Sequence, residues 1–337
     1  MKACCKRRKV LFLFFFAFCS LFIFACSGGG GGAGADAQPS LSYNGLTEKM
    51  RIDESNASEV TTGAVEDGVR GNVFSSMSLL EEVRTNDERR TFSAFYLAEM
   101  VEEAVLVLTA EALSSTASTL AVHTNQETIE GNCGGNATGS FNLDDVTGEF
   151  WGDLHFTSYC VSNVTLNGTT NFSGTVHPST SQVESMSFDF KYLTGGDASG
   201  SFVIDGTLFL VQKDAETGIT MNLFFKEAER NDVFWLNDYH LSIVDDSSTM
   251  TLTISGKYYH PAHGYVTLST QQNLIIDLNR MLPLSGVLLA IGKAGTAGGP
   301  TTAKLTCHPD GLFQTEADTD GDGTDEWDSG MLSWDEP

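Results

Sequence analysis

Basic residues are scarce in this chain. Its 337 residues hold 19 Lys and Arg against 44 Asp and Glu, a formal charge of −25. That balance excludes the basic patch with which a nucleic-acid binder meets phosphate, and it disfavours charge-driven adhesion to an anionic membrane surface. Charge of either sign is sparse: only 19% of residues carry one, while glycine alone numbers 34. The mixture suits exposed β-sheet better than a helical bundle. Catalytic signatures are missing. There is no GxSxG, HExxH or P-loop, and no GxGxxG between a strand and a helix. The carboxylate pairs, Asp144 with Asp145 and Asp245 with Asp246, fall where turns are expected, and Asp is favoured there for turn geometry. The apolar run 10–25 has sixteen residues, short of the ~20 of a spanning helix.

That run follows "MKACCKRRK", which carries Lys2, Lys6, Arg7, Arg8 and Lys9. A basic start and a short apolar stretch read as a secretory signal. Without residues 1–25 the chain keeps 19 − 5 = 14 basic and all 44 acidic residues, a net charge of −30. "IFAC" ends at Cys26 and is followed by "SGGGGGAGADA". A small residue before the Cys, an aliphatic one three before it and a Gly-rich tether after it resemble the lipobox of bacterial lipoproteins. The resemblance implies that Cys26 becomes the lipidated first residue of the mature protein. With Ser27 in place of Asp, it implies the outer membrane. The alternative is an uncleaved signal anchor. The further order "NA", "CGG", "SYC", "YYHPAHGYV" and "DTDGDG…W" resembles a group of uncharacterised exported lipoproteins of the deltaproteobacterial type. This implies an architecture and brings no activity.

An exported chain sits in an oxidising compartment. Cys4, Cys5 and Cys19 leave with the signal, so Cys133, Cys160 and Cys307 remain beside Cys26. Cys133 and Cys160, 27 apart around two strands and a turn, are predicted to form a disulfide; two separate buried thiols are the alternative. Cys307 has no second Cys at haem or zinc spacing and reads as a buried thiol.

The expected organisation is a signal peptide over 1–25, lipidated Cys26 and tether over 26–40, a helical segment over 41–125, and an antiparallel β domain over 126–337. In the helical segment, "DESNASEVTTGAV" offers caps at Ser55 or Asn56, with Glu59 three beyond Asn56 as in a capping box. A second helix is expected over 73–84. The strongest spans 87–113, where Phe92, Phe95, Tyr96 and Met100, then Leu97, Val101, Ala104, Val105 and Leu108, recur at three- and four-residue steps. From Thr128 the period becomes two. Met186, Phe188, Phe190 and Tyr192 are predicted on one face; Leu252 and Ile254 face away from Thr251 and Thr253. Ten or more antiparallel strands joined by hairpins follow. The fold class is mainly β with an N-terminal helical segment: a hairpin-rich sandwich or curved sheet packed by a long amphipathic helix.

"EADTDGDGTDEWD" carries the one metal-binding pattern. Asp318, Asp320, Asp322 and Gly323 take the positions that supply side-chain oxygens and the turn in a calcium loop, with Thr324 for a backbone carbonyl. This half-motif resembles dockerin and thrombospondin type 3 loops. Position 12 is Ser329, so Glu326 or Asp328 must complete the shell. Calcium is the expected ion; a solvated acidic hairpin is the alternative. His260 and His263 form an HxxH pair in a turn and read first as satisfied turn histidines; to hold zinc they would need a further ligand such as His240, Asp238 or His308. Trp151 and Trp235 are candidates for a sugar-binding groove, or core. The expectation is a non-enzymatic outer-membrane lipoprotein with a structural, adhesion or ligand-binding β module, calcium-stabilised at its C-terminus. A periplasmic carrier of an apolar ligand, with the helix as lid, is the alternative, and a glycan-active enzyme the third. The partners implied are a membrane through the lipid anchor, and no nucleic acid.

Overall fold

A computed structural model describes residues 40–65 and 122–334, apart from 145, 162–163, 178–182, 198–199, 214–215, 228–230, 247 and 278–281. The signal segment, Cys26, the tether and the expected helices over 73–84 and 87–113 lie outside the described residues.

From Val122 the alternating segments form long strands. They are β1 (Val122–Glu130), β2 (Gly134–Asp144), β3 (Glu149–Val161), β4 (Val164–Val176), β5 (Val183–Asp197) and β6 (Gly200–Lys213). There follow β7 (Glu216–Glu227), β8 (Phe234–Asp246), β9 (Thr249–His260), β10 (Gly264–Asp277), β11 (Leu282–Ala294) and β12 (Pro300–His308). β13 (Leu312–Asp318) and the short β14 (Trp327–Asp328) and β15 (Leu332–Ser333) end the chain. Each strand from β1 to β13 pairs with the next in sequence, and β15 joins β13. Every ladder between named strands is antiparallel. The product is one continuous 15-stranded sheet, where the sequence left a two-sheet sandwich open. Among the described strands no ladder joins β1 back to β13.

The period-two patterning sets the two faces. The inner face buries Phe141, Phe150, Leu154, Phe188, Leu208, Met221, Leu252, Ile254 and Leu288, each stabilising by roughly 1.5–3 kcal/mol. The outer face is largely polar, as with Thr165, Asn167, Asn171 and Ser173 of β4, with Trp151, Phe209, Val211 and Val244 exposed among the exceptions.

A line of irregularities crosses the middle of this sheet. On β3, β5 and β8 the register slips by a bulge, and Ser158, Tyr192 and Asp238 stand at φ 48°, 49° and 46°. On β4, β6, β9 and β11, Gly168, Gly206, Gly256 and Gly286 stand at φ 123°, 121°, 124° and 123°. Bulges and glycine kinks bend a strand and increase its twist. Repeated on neighbouring strands at matching heights, they form a crease that curves the sheet. At the crease between β9 and β10 the ladder opens, and Thr270 replaces it: Ile254 N–H donates to Thr270 Oγ1 at 2.7 Å, and Thr270 Oγ1 donates to the Ile254 carbonyl at 3.0 Å.

The crease corrects one expectation. Met186, Phe188 and Phe190 do share the inner face, but the bulge after Phe190 turns Tyr192 away and puts Leu193 inside, fully buried. Two strand residues opposite one invert the alternation beyond them.

The described residues 40–65 are only partly helical. Residues 40–53 contain no helix and run as a strap along the sheet. Leu41 N–H donates to Asp205 Oδ2 at 3.0 Å, Met50 N–H to the Tyr265 carbonyl at 2.9 Å, and Ile52 N–H to Thr301 Oγ1 at 3.0 Å. The strap leads into α1 (Ala57–Val65), which starts directly after the expected cap positions. Its buried residues Ala57, Val60, Ala64 and Val65 pack on β11, β12 and β13. The Tyr239 hydroxyl donates to the Ala64 carbonyl at 2.8 Å near the helix end. Among the described residues no helix is long and apolar enough to cross a membrane.

Candidate metal centre

The acidic loop joins β13 to β14. Asp318, the last residue of β13, is 4% exposed. Its Oδ1 accepts Gly321 N–H at 2.6 Å and its Oδ2 accepts Gly323 N–H at 2.8 Å. Gly321 and Gly323 stand at φ 80° and 91°, which lets the chain fold back over that carboxylate without a Cβ penalty. Asp320 Oδ1 accepts Asp322 N–H at 3.0 Å, and Asp322 Oδ1 accepts Thr324 N–H at 2.7 Å. Glu326 Oε2 accepts the N–H and hydroxyl of Thr319 at 2.8 and 3.2 Å. The turn between β11 and β12 props the loop from outside: Ala297 N–H donates to the Asp320 carbonyl at 2.7 Å, and Gly299 N–H to the Gly321 carbonyl at 3.0 Å. Arg51 adds a bond to the Thr319 carbonyl at 3.1 Å.

This backbone gathers one carboxylate oxygen each from Asp318, Asp320, Asp322 and Glu326 within 4.8 Å of one another. Among the described residues no cation pairs with these four groups. Lys304, beside the loop, is committed to Glu316 at 2.8 Å and Asp325 at 3.2 Å. Its hydrogen bond to Glu316 holds the ammonium above its ordinary range. Four like charges so close repel one another, and a hard cation with oxygen ligands is what such a set accommodates. Thr324 lies in the loop, where its N–H serves Asp322. Asp328 is outside the group. Its oxygens accept from Gln314 Nε2 and Gly330 N–H, both at 2.7 Å, and the Gln314 bond holds its carboxyl below the usual range.

His260 and His263 flank the turn between β9 and β10. The residue that meets both is Glu59, expected as a capping-box acid and found instead with its carboxylate 3.3 Å from His260 Nε2 and 3.0 Å from His263 Nε2. Burial pushes His260 below the ordinary imidazole value, against the pull of Glu59. No local pattern announces Glu59 as their partner, since an acid in a first helical turn is already accounted for by the helix dipole.

Cys133 and Cys160 are joined as a disulfide, with Cα atoms 5.1 Å apart. Cys307 is free and buried, and burial pushes its thiol up to about 12, so it stays protonated. Trp151 and Trp235 do not meet in a groove. They lie on β3 and β8, four strands apart in between. Trp235 stacks on Tyr259 at 4.3 Å between ring centroids and donates Nε1–H to Asn222 Oδ1 at 2.8 Å. Asp144 is a turn residue, accepting Val146 and Thr147 N–H at 2.9 and 3.2 Å.

The chain matches no known protein family, no curated protein and no solved structure.

Proposed function

We propose that this chain is an exported, lipid-anchored β module that acts by binding and not by catalysis, with a calcium ion fastening its C-terminal loop. Cys26 carries the lipid and residues 27–40 tether the sheet to the outer membrane. The observation that carries the calcium assignment is the convergence of Asp318, Asp320, Asp322 and Glu326 on a loop already shaped by its own backbone hydrogen bonds. All four ligands are carboxylates, the chemistry that suits calcium or magnesium over a transition ion. Four flexible carboxylates favour calcium, because magnesium demands near-ideal octahedral geometry and keeps its waters.

Calorimetric titration of the protein with calcium is expected to give one equivalent with a Kd on the order of 10⁻⁴–10⁻³ M. At a hundredfold excess over Kd the ion should add about 2.7 kcal/mol of stability. Both effects should vanish in the Asp320→Ala/Asp322→Ala variant. Silence up to millimolar calcium, in heat and in melting temperature, would make the loop an acidic turn.

A second reading has one observation in its favour. Among the described residues the inner face of the sheet is mostly apolar, and the nine-residue α1 packs mainly on β11, β12 and β13. In this reading the sheet shelters an apolar ligand such as an acyl chain, and the amphipathic segment 87–113 closes over it. A fluorescent fatty acid would then bind saturably and be displaced by unlabelled fatty acid. Absence of saturable binding leaves the face as a core closed by the protein's own side chains.

A further inference from the structure

Glu59, His260 and His263 lie apart from the acidic loop and offer a different chemistry. The turn that holds the histidines, His260-Pro261-Ala262-His263, is clamped on its strap side. Tyr43 donates its hydroxyl to the His260 carbonyl at 3.0 Å, Leu46 N–H donates to the Pro261 carbonyl at 3.2 Å, and His263 N–H closes the turn on the His260 carbonyl at 3.2 Å. On the other side α1, fixed by its buried residues, presents Glu59. The His260 ring is 7% exposed by residue, packed edge-on by Phe234 at 5.2 Å and stacked on His263 at 4.6 Å. Both Nε2 atoms face the same carboxylate, one towards each oxygen. Apart from Glu59 and the opposing charge of His263 on His260, the neighbouring charges at the two rings are acidic: Asp232 on His260, and Asp53 beside His263.

We propose that Glu59, His260 and His263 form a zinc-class transition-metal site, with two Nε2 atoms and one carboxylate oxygen as ligands. Two imidazoles and a carboxylate are a donor set that zinc accepts and calcium does not. Ligand atoms on a tetrahedral zinc ion, each about 2.0–2.1 Å from it, stand about 3.3 Å apart. Each Nε2 stands at about that spacing from one Glu59 oxygen, 3.3 Å to Oε1 and 3.0 Å to Oε2, and one ligand atom from each of the three residues lies within 4.8 Å of the others, so a turn of the exposed carboxylate brings a single oxygen to both rings. Three protein ligands leave a fourth position, and the partly exposed Glu59 places it towards solvent. One contact must yield. Ala262 N–H points at His260 Nδ1 from 3.3 Å, so without metal the ring proton sits on Nε2 and faces Glu59. On loading, that proton leaves Nε2 and Nδ1 carries one, at the expense of this long bond. The rival arrangement is a simple clamp, in which Glu59 accepts hydrogen bonds from both rings and no metal enters.

Cobalt(II) titration of the whole protein separates the two, performed in saturating calcium so that the acidic loop does not compete. The expected result is one equivalent of cobalt with a visible d–d band, displaced by one equivalent of zinc. His263→Ala and Glu59→Gln, both at partly exposed side chains, should weaken binding by at least about 100-fold. Each is checked for an unchanged circular dichroism spectrum, and Glu59→Gln serves if His263→Ala does not fold. Asp320→Ala/Asp322→Ala should leave the band intact, so failure of the calcium loop and failure of this site are read separately. A wild-type protein that gives no band, or a band that survives in folded Glu59→Gln, overturns the site.

Discussion

A Gly256→Val variant is expected to lose on the order of 3 kcal/mol or more of unfolding free energy in a denaturant titration. Gly256 stands at φ 124°, which a β-branched residue does not adopt. A Cβ at this position would run into the Asp238 carbonyl and lie 2.7 Å from Tyr239 Cα. Those atoms belong to the bulge of β8, the partner half of the crease, and cannot withdraw without unmaking it. Thr251→Val, on the same strand, half-buried and paired on both sides outside the crease, is the control and should stay within about 0.5 kcal/mol of the parent. Equal stability of the two variants would mean that the bend tolerates a side chain, and that the crease is a by-product of twist.

The disulfide gives the second large effect. Cys133 follows β1 and Cys160 is near the end of β3, so the bond ties the outermost hairpin of the sheet to the third strand. Closing a loop over a separation of 27 residues is worth about 3.5 kcal/mol in the chain-entropy picture. Cys133→Ser/Cys160→Ser should lose that amount, and parent protein in dithiothreitol should fall to the same level. The parent in reductant then serves as its own control for packing changes made by serine. A parent whose midpoint ignores reductant would return the two residues to separate thiols.

Local patterns in the sequence were read correctly where a local cause acts. The alternation of Leu252 and Ile254 against Thr251 and Thr253 placed the faces of β9, because side-chain direction on an unbroken strand depends on parity alone. The acidic loop was legible for the same reason: Asp318, Asp320 and Asp322 meet within a few residues of chain. Tyr192 was misplaced because a bulge is set by two strands together, and one strand's pattern continues through it without a mark. Glu59 was read as a cap because its partners lie 204 residues away at His263 and nearby at His260. Asp328, close in sequence to the carboxylate group, is drawn off by Gln314 of β13, a pairing visible only once the register of β13 with β14 is known. Contacts across such separations follow from the topology of the sheet, which the period of its strands does not encode.

The strand order has a consequence for how the molecule is made. From β1 to β14 each ladder joins neighbours in sequence, so that part of the sheet can zip from one hairpin to the next with only short loops to close. The strap obeys a different timetable. Ile52 bonds to Thr301 across 249 residues, and Arg51 to Thr319 across 268. The end of the strap, at Arg51 and Ile52, has no place to dock until β12 and the loop after β13 exist. A segment made before every strand of the sheet is therefore among the last to be fully fastened, and the hairpins built in between wait on it.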